Sequence, residues 1–192
     1  RFGEETIPDA EELIETQLAA ETDTAARRNV FLALMKVDPA RALRFFVEHA
    51  EQAARYGDGF SLALLELARR VCRVDPTQKA RFIKSVLALL QSESDAVTYE
   101  AAWTLAALSS APTAIRAATA SFTHLLHVES DINVKLVVLE RLAQLQRAHP
   151  KIVQEHLMDL LRALSSPSAD VRQKTLDIAM ELVSRQNVDE VV

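Results

Sequence analysis

His124 and His127 are the two side chains whose type and spacing come closest to a metal site. They lie three residues apart, which places both imidazoles on one face of a helix, and histidine is a common zinc ligand. A further ligand could come from Glu129, or from His149 or His156 of later helices. The competing interpretation is a pair of surface histidines near a helix C-terminus, where positive charge is favoured. We favour the surface interpretation and predict no metal and no cofactor.

Cys72 is the one cysteine among 192 residues and the only candidate thiol nucleophile. It would need a base alongside, and the nearest histidine in the sequence is His49, at the end of the preceding predicted helix. Its apolar helical neighbours favour a small buried side chain instead. With three glycines in the chain, a phosphate-binding glycine loop cannot be built, and no H-E-x-x-H or C-x-x-C motif is present. We therefore predict that the chain is not an enzyme.

Charge is the remaining chemical feature, and it is unevenly distributed. The formal net charge of -5 divides into -7 for residues 1–23 (one base, eight acids), +6 for 24–84 (twelve bases, six acids) and -4 for 85–192 (nine bases, thirteen acids). Six bases of the middle segment are our candidate partner-binding residues, and they flank the turn predicted between the fourth and fifth helices: Arg69, Arg70, Arg73, Lys79, Arg81 and Lys84. They predict contact with an anionic protein or lipid, the alternative being solvated helix faces. Because no aromatic residues for base stacking are interleaved, nucleic acid is not predicted as a partner.

The elements that must position these residues are predicted to be helices. A hydrophobic content of 49%, with 5% aromatic residues, three Gly and six Pro, is typical of an all-α chain. Breaks rich in Pro, Asp and Ser divide the sequence into ten predicted helices joined by short connections. One of these, running from Pro150 to Leu164, is predicted as a single helix, and Gly57 is predicted to end the third. No apolar run approaches the roughly 18 residues that would span a bilayer.

A repeat organises these helices. Val97, Val134 and Val171 each follow an apolar helix end and a short polar break, and they lie 37 residues apart. We therefore predict a HEAT/armadillo-like α-solenoid of about five helix pairs of roughly 35–37 residues each. Residues 1–192 are predicted to form a single continuous segment, excised from a longer trunk.

Two sets of side chains are predicted to act between neighbouring repeats. The bases Arg27, Lys135 and Arg172 each follow the first apolar residue of a helix, and they are predicted to pair with acids of the next repeat. Trp103 lies one turn after Tyr99, and we expect it to pack between helices. The alternative for Trp103 is a partner anchor in a groove.

One stretch goes beyond generic repeat patterning. Residues 99–118, with the irregular break from Ser109 to Ile115, closely resemble a segment of the beta-subunit family of coatomer, the COPI vesicle coat. Residues 80–83, 89–92, 129–142 and 170–176 share the resemblance, which covers essentially the whole chain. Trp103 departs from the pattern, since a small residue is expected there.

The resemblance implies a structural subunit: an adaptin-like trunk that scaffolds coat assembly and membrane recruitment in retrograde Golgi-to-ER and intra-Golgi transport. It implies other coatomer subunits as partners, the delta subunit first, and a cytoplasmic location, peripheral on Golgi and COPI vesicle membranes. The small GTPase Arf would contact the full trunk in helices before this segment, so no Arf site is carried over. The alternative function is an armadillo or HEAT adaptor for peptides or cargo, such as a nuclear import scaffold. Such grooves use repeated Trp and Asn residues, and this chain has one Trp.

Overall fold

A computed structural model of the chain describes residues 9–49 and 56–183, and these residues fold into helices and turns with no strand. Eleven α-helices lie within them: α1 Ala10–Ala20, α2 Thr24–Val37, α3 Pro39–His49, α4 Asp58–Val74, α5 Lys79–Leu89, α6 Asp95–Leu108, α7 Pro112–Val128, α8 Ile132–Ala148, α9 Pro150–Gln154, α10 Leu157–Leu161 and α11 Ala169–Leu182. Pro8 and Arg185, which the sequence pattern places in the first and last helices, lie outside the described residues. The all-α fold class is confirmed.

The helix starts confirm the repeat length. α6, α8 and α11 begin at Asp95, Ile132 and Ala169, which are 37 residues apart both times. The alternate elements begin with proline: Pro39 starts α3, Pro76 starts a 3₁₀ turn before α5, and Pro112 and Pro150 start α7 and α9. Proline suits a first helical position, because its missing N–H would have no partner there. The same start chemistry therefore recurs once per repeat.

One predicted helix differs from the structure. The helix predicted from Pro150 to Leu164 is divided: α9 ends at Gln154, a turn at Glu155 and His156 follows, and α10 passes into a 3₁₀ turn at Arg162–Ser165. This turn brings Glu155 to Arg116 of α7. Gly57, predicted to end the third helix, is the N-cap of α4, with φ +86, and residues 50–55, which lead up to it, are outside the described residues.

The chain divides into two compact units, residues 1–97 and 98–192, with the first turn of α6 in the first unit. In the first unit α2 packs on α1, α3 and α4, and α5 packs on α4. Phenylalanine rings fill the core: Phe31 lies 4.9 Å from Phe60 and 6.1 Å from Phe45, between ring centroids. Phe46 stacks on Phe82 at 4.8 Å and so ties α3 to α5. Long-range aromatic contacts thus join four helices of this unit.

In the second unit α8 packs on α7, α9 and α11. Its core is mainly aliphatic, with Ile115, Phe122 and Leu139 fully buried. Thr119 and Thr175 are also fully buried, and each hydroxyl donates to the backbone carbonyl four residues earlier, at 2.8 and 2.7 Å. These bonds satisfy hydroxyl groups that would otherwise be costly to bury.

The two glycines near the start of α4 should respond differently to alanine. Gly57→Ala should lower the free energy of unfolding by about 1–2 kcal/mol, because φ +86 strains an L side chain. Gly59→Ala is the matched control: its Cβ would lie 2.8 Å from Arg28 Cδ, but that flexible side chain can move, and alanine favours the helix. Urea unfolding measures both. Equal stability of the Gly57→Ala variant and the parent would contradict the strained N-cap.

Candidate functional site

The six predicted partner-binding bases all lie on the hairpin formed by α4 and α5, and we call them the α4–α5 basic cluster. Arg69, Arg70 and Arg73 occupy the last turns of α4, and Lys79, Arg81 and Lys84 occupy α5. Arg70, Arg73, Arg81 and Lys84 are exposed, whereas Arg69 and Lys79 are half-buried. The structure therefore brings the cluster to one hairpin, with four of its six charges open to solvent.

Asp75 makes the tight turn that joins the two helices. It ends α4, where its N–H donates to the Val71 carbonyl, and its carboxylate accepts bonds from the Thr77 N–H at 3.0 Å and the Thr77 hydroxyl at 2.6 Å. The Gln78 amide donates to its second oxygen at 2.8 Å. These hydrogen bonds, with a smaller contribution from the charge of Arg81, lower the pKa of Asp75. The Asp75 carboxylate is thus occupied by hydrogen bonds within the turn.

The charge of the cluster is weakly compensated. Between Glu66 and Glu93 the sequence holds six bases and one acid, Asp75. Within the described part of the chain, Arg70, Arg73, Lys79 and Arg81 form no ion pair, while Arg69 and Lys84 each make a further interaction.

Most other bases for which the structure shows a contact bind carboxylates, rings or carbonyls. Arg41 is the clearest contrast, since it pairs with Glu15 at 2.9 Å and lies near Glu11 and Asp38. The hydrogen bond that Arg41 donates to Glu15, with the negative charges of the nearby acids, raises the pKa of Arg41, against some desolvation. The cluster is therefore a concentration of positive charge that the fold itself leaves largely unused.

Cys72 is buried on α4, at 5% exposure. Burial raises the pKa of its thiol, and the charge of Lys79 opposes that shift only in part. The candidate base His49 stacks on the Phe45 ring at 4.2 Å, and its Nδ1 donates to the Phe45 carbonyl at 2.9 Å. A protonated thiol and a histidine engaged with α3 do not form a nucleophile and base pair.

The histidine candidates are not gathered into a metal site. His124 and His127 are exposed on α7, near its C-terminal end. Glu155, next to His156, forms a two-bond ion pair with Arg116 at 2.7 and 2.9 Å. That hydrogen-bonded pair lowers the pKa of Glu155. Over residues 9–49 and 56–183, no three His, Cys, Asp or Glu side chains are grouped to hold a metal ion.

The predicted ladder of bases and acids is wrong in its position. The Arg172 guanidinium donates to the carbonyls of Ser166 and Pro167 at 2.8 and 2.9 Å, just before its own helix. Arg27 likewise donates to the Glu21 carbonyl and lies 4.3 Å above the Tyr56 ring. Loop carbonyls have no helical partner, so a base in the first turn can satisfy them locally.

Cations do cross between repeats, but from positions two to six residues further along the helices. Arg141 of α8 lies 3.9 Å above the Trp103 ring of α6, and its Nε donates to the Tyr99 hydroxyl at 2.8 Å. Lys174 of α11 binds Glu140 of α8 at 2.6 Å. Trp103 and Glu140 lie 37 residues apart, so equivalent repeat positions each receive a cation from the next helix of the series. Sequence reasoning missed this register, because only the receiving positions follow the 37-residue period and the donors Arg141 and Lys174 lie 33 residues apart.

Trp103 is half-buried and packs between helices, as predicted. Its contact with Arg141 should be measurable as a coupling of about 1 kcal/mol in a double-mutant cycle of Arg141→Leu and Trp103→Leu. Arg147→Leu, an exposed change on the same helix, should show a coupling with Trp103→Leu near zero. Urea unfolding gives the four free energies. Additive effects of the Arg141 and Trp103 changes would contradict the contact.

Helices that recur at a 37-residue period, with equivalent positions receiving a cation from a later helix, define an all-α repeat protein of the HEAT/armadillo class. No helix of the described residues is long and apolar enough to cross a membrane. The family model for the adaptin N terminal region matches residues 1–192, and the chain belongs to this family.

Similarity to individual proteins is high along the whole chain. The chain is 48% identical over 194 residues to the coatomer subunit beta of Rattus norvegicus, covering 100% of this chain and 20% of that protein. It is 44% identical over 190 residues to coatomer subunit beta-2 of Arabidopsis thaliana, covering 99% and 20%. It is 42% identical over 186 residues to coatomer subunit beta of Dictyostelium discoideum, covering 97% of this chain and 20% of that protein. The chain thus spans about a fifth of the length of these curated relatives.

Proposed function

We propose that this chain is a scaffold segment of a COPI coat subunit, a piece of trunk whose helix faces dock other coat subunits. The observation that carries the proposal is identity of 42–48% to coatomer beta subunits of animal, plant and amoeba over nearly the whole chain. The helical repeats support it, because stacked helix pairs present extended faces for docking. The function is structural rather than catalytic.

The partners proposed are other coatomer subunits, with the delta subunit first. The location proposed is the cytoplasm, peripheral on Golgi and COPI vesicle membranes, in retrograde Golgi-to-ER and intra-Golgi transport. Arf would bind the trunk through helices outside this segment. We also propose that residues 1–192 act as one continuous solenoid segment, which the constant 37-residue spacing of three helix starts supports.

A peptide- or cargo-binding adaptor is not favoured. Such an adaptor needs exposed aromatic anchors in a groove. The one tryptophan, Trp103, is half-buried and has one ring face against Arg141 at 3.9 Å, so it is not a freely exposed anchor.

Co-precipitation with a purified delta subunit of coatomer tests the proposal. The tagged chain should retain the delta subunit, as should a full-length coatomer beta subunit used as the positive control. A helical segment of equal length from an armadillo nuclear importer serves as the negative control. Retention by the full-length control but not by this chain, shown by circular dichroism to be folded, would remove the delta subunit as its partner.

A further inference from the structure

The apex of the α4–α5 hairpin combines exposed bases with a projecting apolar side chain. Val74, the last residue of α4, is 85% exposed, the highest exposure of any large hydrophobic side chain among the described residues. Arg73 precedes it directly, and Arg70 lies one turn earlier on α4. On α5 the exposed side chains continue with Arg81, Lys84 and Leu87, the last 40% exposed. The hairpin therefore presents guanidinium groups beside apolar side chains in contact with water.

Exposure decides which kind of anionic partner fits. A side chain that is 85% exposed projects from a convex surface and cannot line a groove. A bound acidic peptide needs a concave site that covers it, whereas a bilayer is broad and meets a convex apex. Basic side chains attract anionic headgroups, and an apolar side chain between them can enter the boundary with the acyl chains.

The charge balance of the hairpin also favours an anionic bilayer as the partner. No acid lies between Asp75 and Glu93, and the Asp75 carboxylate is occupied by Thr77 and Gln78. Arg70, Arg73 and Arg81 form no ion pair with any described residue, so no internal pair must break before they meet phosphate. Arginine also matches phosphate oxygens with two parallel N–H groups.

We propose that the α4–α5 basic cluster, with Val74 at its apex, binds the surface of an anionic lipid bilayer. Arg70, Arg73 and Arg81 contact headgroup phosphates, and Val74 enters the interface. This binding depends on the chain's own surface and stands whether or not the delta subunit is a partner.

Co-sedimentation with vesicles tests the proposal on the whole chain. It should bind phosphatidylcholine vesicles that contain phosphatidylserine and not vesicles of phosphatidylcholine alone, and added salt should weaken binding. Neutralising Arg70, Arg73 and Arg81 together to glutamine should weaken binding about 100-fold, at about fivefold for each base. Val74→Ser should weaken it about tenfold, through the loss of apolar contact.

A matched variant separates the effect of this surface on vesicle binding from the effect of net charge. Lys36→Gln, Arg147→Gln and Lys151→Gln remove three exposed bases outside the cluster and change net charge equally. This variant should bind nearly as the parent does, with all variants checked for folding by circular dichroism. Equal losses in the two triple variants, or no binding to anionic vesicles, would overturn the proposal. Retention on a polyglutamate resin without vesicle binding would overturn it as well and assign the cluster to an acidic protein.

Discussion

Replacing Phe31 with alanine is expected to lower the free energy of unfolding by about 3–5 kcal/mol. Phe31 of α2 is completely buried, and its ring lies 4.9 Å from Phe60 of α4 and 6.1 Å from Phe45 of α3. Truncation removes the contacts of three helices at once and leaves a cavity that the stiff neighbouring rings can fill only in part. The aromatic pairs add to the loss from burial alone.

Urea unfolding followed by circular dichroism measures this effect. Val37→Ala, near the end of the same helix at 50% exposure, is the matched control and should change stability by less than about 0.5 kcal/mol. Similar small losses for Phe31→Ala and Val37→Ala would show that Phe31 is not at the centre of the first unit's core.

Phe122→Ala should have a comparable effect on the second unit, again about 3–5 kcal/mol. Phe122 of α7 is completely buried and meets Tyr99 of α6 edge to face at 5.6 Å between centroids. Tyr99 also accepts the hydrogen bond from Arg141, so loss of the Phe122 ring should loosen that contact too. Near-ultraviolet circular dichroism, which reports on Trp103 and Tyr99, should change together with stability.

Val128→Ala on the same helix, at 50% exposure, is the control for this second change. It should leave both stability and the aromatic signal close to those of the parent. A Phe122→Ala protein with unchanged stability would contradict the packing described for α6 and α7.

The repeat could be predicted because its signals are local. Val97, Val134 and Val171 fixed the 37-residue period, and the helices that carry them begin at the same spacing. A valine at a fixed register is nevertheless not always buried: Val97 and Val171 are at 1% and 0% exposure, while Val134 is at 37%. Burial depends on which neighbouring helices reach the first turn, and the period alone does not contain that information.

The contacts between repeats could not be predicted in the same way. The predicted pairing of bases with acids rested on the distance of each base from a helix start. Arg172 instead donates to the carbonyls of Ser166 and Pro167, just before its own helix. The cations that do cross, Arg141 and Lys174, depend on which faces of successive helices meet. Such facing is a property of packing, which the order of residues specifies only indirectly.

The α4–α5 basic cluster could be predicted from the sequence only in part. Its place beside a turn followed from the Asp75-Pro76 pair, which the structure uses as a helix end and a 3₁₀ start. Sequence distance could not show that Arg69 and Lys79 are half-buried while Arg70, Arg73 and Arg81 are exposed and have no carboxylate partner among the described residues. Nor could it show that Val74 projects at 85% exposure.

A chimera tests the central claim, that this chain is a scaffold segment of a coat subunit, most directly. The 194 aligned residues of the rat coatomer subunit beta would be replaced by this chain and the chimera expressed with the other coatomer subunits. Size-exclusion chromatography of the purified complex should show the chimera in a complete coatomer, in the same proportion as the unaltered rat subunit. A chimera that is folded and helical but stays outside the complex, while the unaltered subunit enters it, would contradict the claim.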